Sequence, residues 1–285
     1  MSTRDTVLIG VGELMRLNAT DHRPAILDVR WRLDQPDGRA GYLAGHIPGA
    51  VYVSLEDELS DHARTGRGRH PLPSGADLQA AARRWGLAEN QSVIVYDDWN
   101  RAGSARAWWV LTAAGLADVR ILDGGLSAWT CAGGALERGV SAPAPGDVTL
   151  IHDDLYSGGR ATLSAQQVSD GVAPTLLDAR APERFLGEVE PVDPVAGHIP
   201  GARNLPSTTV LAEHGTFLPE ASLIALLEQT DVDLSTPVGV YCGSGITASV
   251  ILAALSATGI DAALFPGSWS QWSSEPGRRV ALGSA

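Results

Sequence analysis

Apolar residues come along this chain in short blocks rather than in strict alternation. The runs Ala25-Ile-Leu-Asp28, Val93-Ile-Val-Tyr96 and Val119-Arg-Ile-Leu122 are rich in aliphatic and β-branched side chains, which predicts strands buried on both faces. A shorter strand is expected at Val7-Leu-Ile-Gly10, and another at Val51-Tyr-Val53 after the turn Gly45-His-Ile-Pro-Gly-Ala50. Between them, residues 13–17, 77–85 and 104–114 carry helical patterns, and the last ends at Gly115. Strands and helices alternating at these lengths imply an α/β fold, an open and mainly parallel sheet with helices on both faces.

The whole series then starts again. Leu27-Asp28-Val29-Arg30 recurs as Leu177-Asp178-Ala179-Arg180, and Gly45-His46-Ile-Pro-Gly-Ala50 recurs as Gly197-His198-Ile-Pro-Gly-Ala202. Val95-Tyr96-Asp97 matches Val240-Tyr241-Cys242, and Gly124 to Trp129 matches Gly267 to Trp272. An offset of about 145 to 150 residues is far longer than a solenoid repeat, so a whole domain has been duplicated. His46, His198, Arg30 and Arg180 occur in both copies and are expected to fix turns and internal ion pairs.

The copies differ where chemistry would sit. The stretch Val238-Gly-Val-Tyr-Cys242-Gly-Ser-Gly-Ile-Thr247 reads as a buried strand, a tight turn and the start of an apolar helix. Cys242 would stand at the strand's carboxyl end under a helix amino terminus, where free amides favour an anionic sulfur. The first copy has Asp97 there and cannot run thiol chemistry. The other cysteine, Cys131, has no glycine loop and is read as incidental.

Composition narrows the choices. A length of 285 residues suggests two domains. Two cysteines cannot form a disulfide framework, and no paired Cys/His spacing suggests a metal. The net charge of −12 argues against nucleic acid as a partner. With no apolar run near the roughly 20 residues of a membrane span, and no secretory signal pattern, a cytoplasmic protein without membrane contact is expected.

Gly-His-Ile-Pro-Gly-Ala in each half, with Cys-Gly-Ser-Gly-Ile-Thr-Ala in the second, resembles the two-domain rhodanese family of sulfurtransferases over nearly the whole chain. The resemblance implies a catalytically silent rhodanese-like domain over 1–138, a linker over 139–158 (Pro- and Gly-rich from 139 to 146) and a catalytic domain over 159–285. It implies no cofactor. Cys242 would take sulfur from thiosulfate or 3-mercaptopyruvate as a persulfide and pass it to thioredoxin, glutathione, another small thiol or cyanide. Gly243, Gly245, Ile246 and Thr247 would surround the donor, with Arg184 on its carboxylate. The Gly-Ser-Gly loop is similar to that of the mercaptopyruvate subgroup, in which the loop serine works with a histidine and an aspartate; the matching positions are Ser244, His70 and Glu56. A second carboxylate-binding arginine of that subgroup falls on Val192. The implied enzyme accepts both donors and prefers 3-mercaptopyruvate with a high KM.

Two other readings compete. A phosphatase of the same fold needs an arginine six residues after the cysteine, where Ala248 stands. A non-catalytic binding module would not need the intact loop at Cys242.

Overall fold

The computed structural model describes residues 2–20, 23–230, 232–233 and 235–284. The chain divides into two compact units. One comprises Met1–Asp61, Leu72–Arg160 and Ala212–Phe217; the other comprises His62–Pro71, Ala161–Leu211 and Leu218–Ala285. Residues 62–71 therefore belong with Cys242, although they precede much of the first repeat in sequence. The stretch 139–158 forms no helix or strand. It lies within the first unit, where Gly146 N donates to Arg83 O (2.8 Å) and Val148 N to Leu87 O (3.1 Å).

The first unit holds a five-stranded parallel sheet of β1 (Leu8–Ile9), β2 (Ala25–Asp28), β3 (Val51–Tyr52), β4 (Val93–Tyr96) and β5 (Val119–Leu122), in the order β1-β5-β4-β2-β3. The second holds a four-stranded parallel sheet of β6 (Thr175–Asp178), β7 (Arg203–Asn204), β8 (Val238–Tyr241) and β9 (Ala262–Leu264), in the order β7-β6-β8-β9. Every residue of β4, β6 and β8 is buried, as the apolar runs require of interior strands of a parallel sheet.

The chain leaves β6 toward one edge and returns to place β8 on the other side. Strand order thus reverses between β6 and β8, and in an open parallel sheet the crevice at the carboxyl ends of such a pair is where ligands bind. Cys242 follows β8, and Ala179-Arg180 follows β6. The helix Ala248–Ala257 is buried on nearly all sides, consistent with its apolar sequence, and ends at Gly259, whose φ of +78° is left-handed.

The repeated residues build the same frame in each unit. Arg30 grips the Asp28 carboxylate through Nε and Nη2 (2.7 Å) and donates to Gly45 O (2.7 Å); Arg180 does the same to Asp178 (2.6 Å) and Gly197 O (2.7 Å). The Tyr96 hydroxyl accepts from Ile47 N and the Tyr241 hydroxyl from Ile199 N, both at 3.1 Å. His46 Nδ1 pairs with Tyr42 O (2.9 Å) and His198 Nδ1 with Phe185 O (2.8 Å). Each Gly-His-Ile-Pro turn is thereby tied to the strand ends. Burial, reinforced by the neighbouring Asp28 and Asp178 charges, pushes the two tyrosine hydroxyls well above their ordinary pKa.

Candidate active site

Cys242 is 1% exposed, at the end of β8. Three residues on, the chain turns back, and Gly245 N donates to Cys242 Sγ at 3.1 Å. That turn needs glycine twice over. Its φ is +79°, and a Cβ there would stand 2.6 Å from Pro266 O. The other wall of the loop is the segment after β9. Trp269 N donates to Cys242 O and Ser270 N to Gly243 O, both at 2.9 Å, while Cys242 N donates to Ser268 Oγ at 3.2 Å. Ser268 holds a left-handed φ of +52° without being glycine. The loop is held mainly by hydrogen bonds between backbone groups.

The first unit shows what this loop shape favours. At the matching position Asp97 Oδ1 accepts from Trp99 N (3.0 Å) and Arg101 N (3.3 Å), and Oδ2 from Ser104 N (3.0 Å) and Ser104 Oγ (2.6 Å). A carboxylate sits where the second unit has sulfur, in a nest of amides suited to an anion. Arg101, four residues on like Ile246 in the second loop, pairs with Asp97 at 2.9 Å and is itself buried. A Cβ at Gly125, the repeat partner of Ser268, would collide with the Arg101 guanidinium. Here the cradle is filled by an internal ion pair.

Of the expected site residues, His70 and Ser244 come together: Nδ1 lies 2.8 Å from Oγ, and both side chains are buried. The His62 ring stands edge-on to His70 at 5.7 Å. Glu56 belongs to the first unit, where its Oε1 accepts from Trp31 Nε1 at 2.6 Å. Gly243 leads the loop past two guanidinium groups. Ile246 is buried and Thr247 half-buried, and their carbonyls accept from Ser249 N and Val250 N at the head of the helix.

Arg184 lies beside the loop, but two carboxylates hold it. Its Nη2 donates to Glu190 Oε1 (2.6 Å) and to Asp193 Oδ2 (3.3 Å). Glu190 also accepts from Val192 N and Asp193 N (3.1 Å each) and pairs with Arg180 (3.3 Å). Burial pushes the Glu190 carboxyl up, but the Arg184 hydrogen bond, the Asp193 amide and the Arg184 charge outweigh this, leaving it below its ordinary 4.5.

The second arginine expected in this region is missing from position 192, where Val192 is 40% exposed. A different arginine, Arg69, reaches the loop instead. Its Nη1 donates to Asp193 Oδ1 (2.7 Å), and its backbone N donates to Ser270 Oγ (3.0 Å). A Cβ on Gly243 would lie 3.4 Å from Arg69 Nη2 and 3.5 Å from Arg184 Nη1, so both cations flank the residue after Cys242. Sequence reading gave no role to Arg69, Glu190, Asp193 or Ser268. Two signals were available: Arg69 adjoins His70, and Ser268 replaces Gly125 between the repeats. Among the described residues no cluster of His, Cys, Asp and Glu is assembled for a metal ion, and no helix is long and apolar enough to cross a membrane.

The Rhodanese-like domain family matches residues 11–132 and again 161–275. SseB of Mycobacterium tuberculosis, provisionally named a thiosulfate sulfurtransferase, is 64% identical over 285 residues, the full length of both chains. The 3-mercaptopyruvate sulfurtransferase of Escherichia coli K12 is 36% identical over 243 residues, 81% of each chain. The crystal structure of SseA from Escherichia coli superposes with a TM-score of 0.81 at 32% identity, covering 93% of this chain and 99% of that one.

Proposed function

The chain belongs to the rhodanese family of sulfurtransferases, and on that premise we propose that Cys242 carries the transferred sulfur between an anionic donor and a nucleophilic acceptor. The Gly245 amide directed at Cys242 Sγ carries this reading, because it belongs to a hydrogen-bonded loop whose counterpart in the first unit holds a carboxylate.

The Cys242 thiolate attacks the outer sulfur of the donor, and a new S–S bond forms. With thiosulfate the old S–S bond breaks and sulfite leaves with the electron pair. With 3-mercaptopyruvate a C–S bond breaks, and pyruvate leaves as its enolate and takes up a proton. Ser244 and His70 are joined in a position to pass that proton. The acceptor, a thiolate or cyanide, then attacks the terminal sulfur and returns Cys242 to the thiolate. Loop amides balance the negative charge on sulfur at each stage.

Arg184 orients the donor. The uncharged Gly243-Ser244-Gly245 sequence favours 3-mercaptopyruvate, and thiosulfate is the second donor. The acceptor is a small thiol, thioredoxin or cyanide. Both cysteines are free, which suits a reducing compartment such as the cytoplasm.

Incubation with donor should make the protein one sulfur atom heavier by mass spectrometry. Cys242→Ser should abolish this gain and turnover, and Cys131→Ser should preserve both. Sulfur transfer surviving in the Cys242 variant would refute the assignment.

A further inference from the structure

The two cations beside Cys242 are already bridged by a carboxylate of the chain itself. Asp193, its side chain only 3% exposed, spans Arg69 Nη1 (2.7 Å) and Arg184 Nη2 (3.3 Å). The remaining terminal nitrogens, Arg69 Nη2 and Arg184 Nη1, are those that flank Gly243, and among the described residues neither has a hydrogen-bond acceptor. The buried Nε of each arginine likewise lacks a partner. Each guanidinium has five N–H donors and uses only part of them here. Arg69, Val192, Asp193 and Ser270 line a cavity of about 430 Å³, a size suited to a small ligand.

Charge in this cluster is balanced. Arg69, Arg180 and Arg184 face Asp178, Glu190 and Asp193 through the ion pairs that join them. An incoming anion therefore meets a neutral group of charges rather than an open cationic pocket. Glu190 is held by Arg180, Arg184 and two backbone amides, whereas Asp193 is the carboxylate common to both flanking arginines. The 190–195 segment is anchored at its far end by Trp269 Nε1 on Val195 O (2.9 Å), which keeps Asp193 against the pair.

We propose that Asp193 is a built-in competitor for the anionic end of the donor, held between Arg69 and Arg184, and that it sets the site against dianions. This rests on the sulfurtransferase reading and adds Arg69 and Asp193 as its specificity residues. A monoanion such as 3-mercaptopyruvate gains the arginines by sharing or displacing this carboxylate. A dianion such as thiosulfate is opposed by it twice as strongly, because Coulomb energy is linear in ligand charge.

Asp193→Asn removes the charge and keeps the shape, including a carbonyl acceptor for Arg69. The KM for 3-mercaptopyruvate should fall roughly 5-fold and that for thiosulfate roughly 25-fold, the second factor being the square of the first, with kcat little changed. Arg69→Gln in the Asp193→Asn background should cancel most of both gains, since the released cation is then absent. Titration calorimetry of Cys242→Ser, with and without Asp193→Asn, should show the same ordering for pyruvate and sulfate as probes. Unchanged or raised KM for both donors in Asp193→Asn overturns the proposal, as do equal gains for monoanion and dianion. Failure of the wild type to turn over either donor would count against the sulfurtransferase reading instead, and the calorimetric comparison would still decide whether Asp193 competes with anions.

Discussion

His70 Nδ1 lies 2.8 Å from Ser244 Oγ, with His70 only 3% exposed. A histidine and a hydroxyl so paired can move a proton two residues from Cys242, and the two donors differ in whether they need one. Sulfite leaves thiosulfate as a stable anion, but the pyruvate enolate must be protonated. His70→Ala should therefore lower kcat with 3-mercaptopyruvate by roughly 10² to 10⁴, the span of acid–base assistance, and affect thiosulfate much less. Ser244→Ala should behave alike, and the double variant should lose little more than either single one. Equal losses with both donors would assign the pair to folding.

Asp97 and Arg101 in the first unit should resist conversion to a second active site. Asp97→Cys restores a thiol but strands the buried Arg101 without its carboxylate, at a cost of about 3 to 5 kcal/mol. The variant should lose thermal stability, and the added thiol should take no sulfur from donor, because the Arg101 guanidinium fills the space beside Gly125. Asp97→Cys with Arg101→Ile should recover much of the stability. Mass spectrometry of each variant with Cys242 replaced by serine isolates the new thiol; sulfur on the thiol introduced by Asp97→Cys alone, with Arg101 intact, would contradict this account of the first unit's loop.

Strand and loop positions could be read from local sequence because their causes are local. A run such as Val93-Ile-Val-Tyr96 forms a buried strand wherever it lies in a parallel sheet, and Gly245 marks a left-handed turn. Comparing the repeats exposed the exchange of Asp97 for Cys242. The pairing of His70 with Ser244, 174 positions apart, came only from the family resemblance. Arg69 and Asp193 lie 124 positions apart, and no periodicity or turn rule links them. The resemblance pointed to a missing arginine at Val192, whereas folding brings in Arg69 from a segment that belongs to the second unit.

Ser268 accepts the Cys242 N–H while holding a φ of +52°, so two substitutions there should separate hydrogen bonding from strain. A left-handed conformation costs a non-glycine residue about 1 to 2 kcal/mol, and a buried amide left without its acceptor costs about 1 to 3 kcal/mol. Ser268→Ala keeps the strain and loses the bond; Ser268→Gly loses the bond but relieves the strain. Chemical denaturation should rank wild type and the glycine variant close together, with the alanine variant clearly lower. Turnover should drop in both, because each leaves the Cys242 backbone less firmly held. A glycine variant less stable than the alanine variant would show that strain at this position is negligible.

Glu190 supplies a pH test of the cation cluster. Its carboxyl is buried, which raises its pKa, yet Arg184 and two backbone amides bring it below the ordinary 4.5 in the folded chain. A group that releases its proton more readily folded than unfolded stabilises the fold above its unfolded pKa, and that contribution is lost as the pH falls through the folded value. Glu190→Gln should therefore be less stable than wild type at neutral pH, by an amount nearly constant down to about pH 5. Below about pH 4.5 the gap should narrow, because protonation makes the wild-type side chain neutral like the amide. Urea midpoints for both proteins at about pH 7, 5 and 3.5 measure this directly. A gap that stays constant or widens on acidification would mean that Glu190 acts through shape, and that its charge on Arg180 and Arg184 contributes nothing to holding the cluster.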